Sequence, residues 1–552
     1  MNLVIVAGGL GSRLAPLTNN IPKVLVNIGK NTGYVEMIRY WEKQIDLIAD
    51  ISSLTVIVHS AYESLVSEYH KMYFPHLDLI IKTVDIANGS AHAILSTCGH
   101  LDGKPVMFTW CDVLPVDDIP VYDLVEMYSG ANVVFTNYNG SCRYGLMRTG
   151  AGWADVVPCI DEEERGGIFG LYYISNYKTA RFTYSSGQDF VEVIEQDGPI
   201  REHKLEQIID FGDMPKLIRV REKADEAREF NSVKFIGDYV LKEATNDQGL
   251  AIMAKEIQWY AQVEALVSNG FGLRPSVPRT WVSTDGTGFF MSKASGVPIW
   301  KAWDKLSPVD RHHVLLQVIK QQQTIFDLGK GVIDQGDLMF RVRVIVDVEA
   351  EAGQKIQNRY SEIKGVIDSF GPVTSVNGYV FDTLDARKTI SRLSSAIISH
   401  YRNVPVEYGL IHGDLQLSNS MVDLDTLKVS VIDPRGYFGE TSCFGLADYD
   451  IAKLLYSLSA YDLFNYSKTF HIKSLKDGEL NFDIPKMDHK GVEDILESHF
   501  KPIHYGWLAV HFLGLAAYIK NDPVKSMCAH YHGLALAERW LEEYRPTSVS
   551  SV

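Results

Sequence analysis

The segment Val6–Val26, VAGGLGSRLAPLTNNIPKVLV, constrains this chain more than any other. It continues Leu3-Val4-Ile5-Val6, an apolar run of the kind shown by a strand buried on both faces. Gly8, Gly9 and Gly11 then permit a tight turn whose backbone N–H groups can face an anion, with Ser12 beside them. Arg13 and Lys23 place a cation on each side of a loop stiffened by Pro16 and Pro22. A glycine turn alone has a steric explanation. One that leaves a strand and carries two spaced cations reads as a loop for a nucleoside triphosphate.

Downstream, helical spacing over Tyr34–Ile48 and Tyr62–Tyr73 alternates with strand-like runs at Leu54–Val58 and Leu79–Ile81. This predicts an α/β fold with a doubly wound, mainly parallel sheet, whose ligands meet the carboxyl ends of its strands. Asn88-Gly89-Ser90-Ala91 precedes a helix over Ala91–Thr97, with Ser90 readable as its N-cap. The run Val106–Cys111 ends at Asp112, a carboxylate placed to hold a divalent metal. A second acidic ligand is expected in Ile208-Ile209-Asp210-Phe211-Gly212-Asp213, with Asp210 preferred and Asp213 in reserve.

The fixed residues Gly8, Gly9, Gly11, Ser12, Arg13, Leu14, Pro16, Leu17, Thr18, Pro22 and Lys23 resemble the signature of the sugar-phosphate and phosphocholine nucleotidyltransferases, GG-x-G-[ST]-R-L-x-P-L-T followed by P-K. The resemblance covers residues 1–222 and implies that the glycine loop binds the nucleotide while Arg13 and Lys23 neutralise charge as pyrophosphate leaves. It further implies that Gly89 and Ser90 contact base and ribose, and that Asp112 and Asp210 ligate Mg²⁺, with Cys111 standing where the family has Gly. Gly166–Tyr173 resembles the strand lining the acceptor pocket. The family's Glu-Lys pair before it is replaced by Asp161-Glu162-Glu163-Glu164-Arg165, which leaves Lys204 as a candidate phosphate contact.

The 552 residues exceed what one core serves, so two or three domains are expected. A net charge of −16 excludes general binding to nucleic acid or anionic membrane, though local loops can still bind nucleotides. Six cysteines without C-x-x-C spacing read as reduced thiols in a cytoplasmic protein, and no signal peptide is expected at Met1-Asn2. Trp507–Ile519 is apolar but too short to span a membrane, and Pro546–Val552 reads as disordered.

A thickly charged stretch, Arg219–Arg228, reads as a linker, and a second fold follows. Two strands over Val233–Lys242 end at Lys242, and the next helix carries Glu256; such a pair holds the α and β phosphates in kinases. Leu410–Asn419 then sets Asp414 and Asn419 five residues apart, the spacing of a base for a substrate hydroxyl and a Mg²⁺ ligand. Val429–Ile432 leads to Asp433, placed for metal bridging the phosphates. This pattern resembles the aminoglycoside phosphotransferase and choline kinase families, with their H-G-D-x-x-x-x-N loop, over residues 230–545. The resemblance implies a bilobal α+β kinase-like fold with lobes at 223–298 and 299–552. In it Asp414 is the catalytic base, Asn419 and Asp433 ligate metal, and Met291–Gly296 is the hinge. Phe230–Val233 lacks the expected glycines, Asp448 and Asp450 match a structural acidic turn, and His412 reads as orienting its loop. The aromatic-rich helices over Asp494–Tyr544 read as packing first, with an aromatic cage for a quaternary ammonium as the sharper alternative.

Together these features predict a bifunctional enzyme. The C-terminal half phosphorylates a small hydroxyl compound with ATP. The N-terminal half joins the product to a nucleotide from CTP or UTP, yielding an activated sugar or polyol for polysaccharide assembly. The alternatives are a choline or ethanolamine kinase fused to a phosphocholine-type cytidylyltransferase, and a nucleotidyltransferase regulated by a non-catalytic kinase-like domain. Oligomeric state stays open.

Overall fold

The computed structural model describes residues 2–29, 33–45, 53–119, 131–137, 144–148, 154–158, 166–224, 231–282, 288–333, 338–381, 385–467 and 470–544. The chain divides into two compact units. The first is Met1–Glu226 with Gly365–Gly371 and Asn521–Val524; the second is Ala227–Lys364, Pro372–Lys520 and Lys525–Val552.

The strands of the first unit are β1 (Asn2–Ala7), β2 (Ser53–His59), β3 (Leu79–Val84), β4 (Val106–Trp110), β5 (Val113–Pro115), β6 (Asn132–Asn137), β7 (Tyr144–Arg148), β8 (Ala154–Pro158), β9 (Gly166–Ile174), β10 (Ile200–Lys204) and β11 (Ile208–Asp210). Its main sheet runs in the order β10-β6-β9-β4-β1-β2-β3. Every residue of β1 is buried, as its unbroken apolar run requires, and it pairs in parallel with β2 and β4. Along this order the strands are mainly parallel, as expected, but β9 runs antiparallel between β4 and β6, which makes the sheet mixed. A strand buried on both faces reads the same in either direction, so the sequence pattern did not carry this reversal.

The helices are α1 (Gly33–Ile45), α2 (Glu63–Tyr73) and α3 (Gly89–Thr97). α2 buries Leu65, Val66, Tyr69 and His70, one face at helical spacing. On one face of the sheet, Val4, Ile57, Phe108 and Tyr172 pack with Ile94 of α3 and with Phe190. Burying each such side chain contributes roughly 1.5–3 kcal/mol. α3 starts two residues before the expected Ala91, so Ser90 lies inside it and Asn88 takes the cap position. The expected linker is helical in part: Met214–Ala224 is one helix, capped where the Lys216 N–H donates to Asp213 Oδ1 at 3.0 Å. The rest of that linker, the acidic run Asp161–Arg165 and the tail Pro546–Val552 lie outside the described residues.

The second unit opens with a four-stranded antiparallel sheet, β12 (Asn231–Ile236), β13 (Tyr239–Ala244), β14 (Thr280–Val282) and β15 (Gly288–Ser292), in the order β12-β13-β15-β14. The helix Asp247–Ser268 follows β13, its cap Asn246 accepting from the Gly249 N–H at 2.8 Å. The remainder is mostly helical. Pro502–Tyr518 is buried along almost its whole length, a core helix rather than a membrane span. No helix among the described residues is long and apolar enough to cross a membrane.

Candidate active sites

In the first unit the turn after β1 borders a cavity of about 270 Å³. Gly8, Gly9, Gly11, Ser12, Arg13, Lys23, Gly89, Ser90 and Asp112 all line it. Gly11 is left-handed (φ 67°), and its carbonyl accepts from Thr18 Oγ1 at 2.8 Å and from the Leu14 N–H at 2.8 Å. A Cβ on Gly8 would lie 2.9 Å from Val84 Cγ2, so the turn packs tightly on β3, whereas Gly9 faces open space.

Lys23 is buried, and its ammonium donates to Asp112 Oδ2 and to the Gly212 carbonyl, the latter at 3.0 Å. Arg13 is largely exposed, with Nη2 3.9 Å from Asp112 Oδ2. The antiparallel pairing of β5 with β11 brings Asp210 to this place. A Cβ on Gly212 would lie 2.9 Å from Asp112 Oδ2 and 3.0 Å from Asp210 Oδ1, so the two carboxylates flank that glycine. Asp210 accepts from the Gly212 N–H at 2.8 Å and pairs with Lys216 at 2.5 Å. Asp213, the reserve candidate, caps the helix Met214–Ala224 through Oδ1. Two facing carboxylates are a hard-oxygen donor set of the kind Mg²⁺ takes, so these residues fit the ion. No cluster of three or more His, Cys, Asp or Glu suited to a metal occurs among the described residues. Phosphate oxygens supply the remaining ligands in such sites.

Asp189 and Trp110 also line the cavity and carry no signal in the sequence. Ser90 Oγ donates to Asp189 Oδ1 at 3.0 Å and accepts from the Phe190 N–H at 2.8 Å, so it fixes the loop that walls the cavity. A Cβ on Gly89 (φ 82°) would overlap the Gln188 carbonyl of that loop. The Trp110 indole lies against Gly170 (φ 77°), where no side chain fits. Burial pushes the Cys111 thiol up to about 12, so it stays protonated beside Asp112. Lys204, at the end of β10, is exposed and does not line the cavity.

Residues 2–156 match the family model for nucleotidyl transferases. This region is similar to the nucleotidyl transferases. No curated protein matches the chain. Among solved structures, a putative glucose-1-phosphate thymidylyltransferase from Bacillus anthracis in complex with sucrose is 18% identical, with 41% of this chain and 96% of that one covered at a TM-score of 0.35. A UDP-glucose pyrophosphorylase complexed with UDP-glucose is 14% identical, with coverages of 41% and 99% and a TM-score of 0.34. HddC from Yersinia pseudotuberculosis complexed with GMP-PN is 17% identical, with coverages of 40% and 98% and a TM-score of 0.33. The nucleotidyl transferase match includes the glycine loop, Lys23 and Asp112, and stops before Asp210.

The second unit gathers its own charged constellation. Lys242 on β13 is buried and donates to both oxygens of Glu256, at 2.7 and 2.8 Å, and to Asp433 Oδ1 at 2.7 Å. Burial works against its charge, but Asp433 and Glu256 outweigh burial and hold it above the ordinary lysine range. Asp433 itself sits in the left-handed region (φ 58°), an uncommon conformation for a side-chain-bearing residue. Asn419 Nδ2 donates to Asp414 Oδ2 at 2.9 Å and to the Asp414 carbonyl at 2.9 Å. Lys453, a residue the motif did not mark, pairs with Asp414 Oδ1 at 3.0 Å. Burial opposes ionisation of Asp414, yet Lys453 and His412 hold it below the usual carboxylate range. Asp450 accepts from the backbone N–H groups of His412 and Gly413, both at 2.7 Å, and thereby fixes the loop. Burial pulls His412 down to about 4, and its Nε2 meets the Ile432 carbonyl at 2.9 Å, so it holds the loop and Asp433's strand together. Asn419 and Asp433 again offer oxygen donors that suit Mg²⁺.

Proposed function

We propose that the chain carries two phosphorus-transfer sites acting in sequence. The C-terminal unit phosphorylates a small hydroxyl compound with ATP, and the nucleotidyl transferase joins that phosphate to a nucleotide from CTP or UTP, releasing pyrophosphate. In this reading residues 1–222 form the nucleotidyl transferase, 223–298 a small kinase lobe and 299–552 a large one, in a cytoplasmic enzyme feeding polysaccharide assembly. The observation that carries the kinase half is Lys242 bridging Glu256 and Asp433, with Asp414 and Asn419 hydrogen-bonded to each other in the same unit.

In the N-terminal site an ionised phosphate oxygen of the acceptor attacks the α-phosphorus, and the bond to the bridging oxygen breaks. Pyrophosphate leaves beside Lys23 and Arg13, while the backbone at Gly8, Gly9, Gly11 and Ser12 cradles the triphosphate. Gly89 and Ser90 shape the base and ribose end. No general base is needed, since the nucleophile is already ionised. In the C-terminal site Asp414 accepts the acceptor hydroxyl proton as its oxygen attacks the γ-phosphorus, and Lys242 holds the departing diphosphate. Mg²⁺ held by Asp112 and Asp210, and by Asn419 and Asp433, would neutralise triphosphate charge when bound.

The test incubates the full chain with ATP, CTP or UTP and a panel of sugars, polyols and amino alcohols, reading ADP and pyrophosphate separately. Asp414→Ala should abolish acceptor-dependent ADP and leave pyrophosphate release from added phosphorylated acceptor. Asp112→Ala should do the reverse. Loss of both products in either variant would defeat the two-site reading.

A further inference from the structure

Beside Asp414 the second unit holds a basic group that the phosphotransfer machinery does not use. It sits on one long helix interrupted by a π-helical turn, Ala350–Gln354, a feature often found at functional sites. Glu351, Lys355 and Arg359 recur there at four-residue spacing, and so share a face. Arg435 joins this face to the Asp414 loop. Its N–H donates to the His412 carbonyl at 2.8 Å, and its Cβ lies 3.0 Å from where a Cβ on Gly413 would stand.

The charges there do not balance. Glu351 takes a guanidinium from Arg435 and the Lys355 ammonium at 2.8 Å, while Arg359 donates to the Gly514 carbonyl at 2.6 Å. Arg435 and Lys355 thus share one carboxylate, and Arg359 is paired with a carbonyl and no carboxylate among the described residues. Burial, followed by the neighbouring Arg435, pulls Lys355 down to about 7, as expected where positive charge is in excess. A second observation points the same way. His511 is 6% exposed, and its Nε2 has no hydrogen-bond partner. Its ring packs 5.0 Å from Tyr449, whose hydroxyl accepts from Arg435 at 2.6 Å, and 5.5 Å from Tyr456, which Lys453 approaches at 5.4 Å. The aromatic rings packed on His511 therefore stand among cations.

We propose that the acceptor phosphorylated at Asp414 is an alcohol already bearing an anionic group, a carboxylate or phosphate, held by Lys355 and Arg359 with His511 available to donate to it. This rests on the kinase reading above. The acceptor oxygen forms its bond to the γ-phosphorus, the bond to the bridging oxygen of ATP breaks, and the hydroxyl proton passes to Asp414. The anionic group itself is unchanged.

The experiment offers the full chain ATP with glycerate, glycerol 1-phosphate, glycerol or choline, and reads ADP. One or both anionic acceptors should exceed glycerol and choline by at least tenfold in kcat/KM, the two anionic arms telling carboxylate from phosphate. Lys355→Met should cut that preference about tenfold through KM, and Lys355→Arg should restore it. Because a lysine change can disturb folding, Arg359→Gln provides a second variant, expected to raise KM for the anionic acceptor more than for glycerol. ADP formed faster with glycerol or choline, or an anion preference untouched by both variants, would overturn the anionic acceptor and leave the kinase standing. No acceptor-dependent ADP in any arm, with Asp414→Ala indistinguishable from the parent chain, would overturn both.

Discussion

Lys23 shows how one side chain joins three parts of a site. Its backbone position after Pro22 opens a short 3-10 turn, Lys23–Leu25, and its ammonium reaches Asp112 on one strand end and Gly212 beyond another. A buried cation so placed acts on developing charge with little solvent screening. Lys23→Met should therefore lower kcat for pyrophosphate release by about 10²–10³-fold, the usual loss for one preorganised donor. Steady-state kinetics with a phosphorylated acceptor would check this, and a change confined to KM would mean that Lys23 serves ground-state binding alone.

At the scale of elements, the sites depend on loops pinned by partners far away in the chain. α3 begins at Gly89 because only glycine tolerates both φ 82° and the Gln188 carbonyl pressed against it. Gly89→Ala should destabilise the first unit by about 1–3 kcal/mol, from the strained backbone and the overlap together. Urea unfolding would measure it, and an unchanged midpoint would show that the 185–190 loop yields at little cost. The loop holding Asp414 is pinned in a comparable way by Asp450. Asp450→Ala leaves two buried backbone N–H groups without their acceptor, so a loss of about 2–6 kcal/mol is expected at roughly 1–3 kcal/mol per group. The same variant should lose acceptor-dependent ADP formation even where it remains folded, which activity measured below its unfolding midpoint would reveal.

For the molecule as a whole, acid should be destructive through the second unit. Burial lowers His412 and His532 to about 4 and His530 to about 3, and His511 is also held well below 6.5. The unfolded chain protonates these histidines near 6.5, so between pH 6.5 and about 4 it binds more protons than the folded chain. Their contribution is fully present above pH 6.5 and is lost as pH falls through that window, at about 1.4 kcal/mol per pH unit for each. Asp450 and Asp462, raised by burial to about 7 and about 6, act in the opposite sense, Asp450 through the whole window and Asp462 below about pH 6, but the histidines outnumber them. The thermal midpoint of the second unit should fall between pH 6.5 and 4.5. A midpoint that stays level or rises in scanning calorimetry would show that these histidines are not held neutral.

The local sequence determined the glycine turn, its two cations, the strands ending at Asp112 and Asp433, and the Asp414–Asn419 loop, because each depends on residues within a few positions of one another. Backbone permission, strand pattern and turn chemistry act at that range. The tertiary structure alone decided the reversed β9, the meeting of Asp112 with Asp210 across Gly212, and the hold of Asp189 on Ser90. It also decided that Lys453 pairs with Asp414 and that Arg435 reaches Glu351. These contacts join residues tens to hundreds of positions apart. They exist only once packing has selected one arrangement, and no short-range periodicity records which distant partners burial brings together.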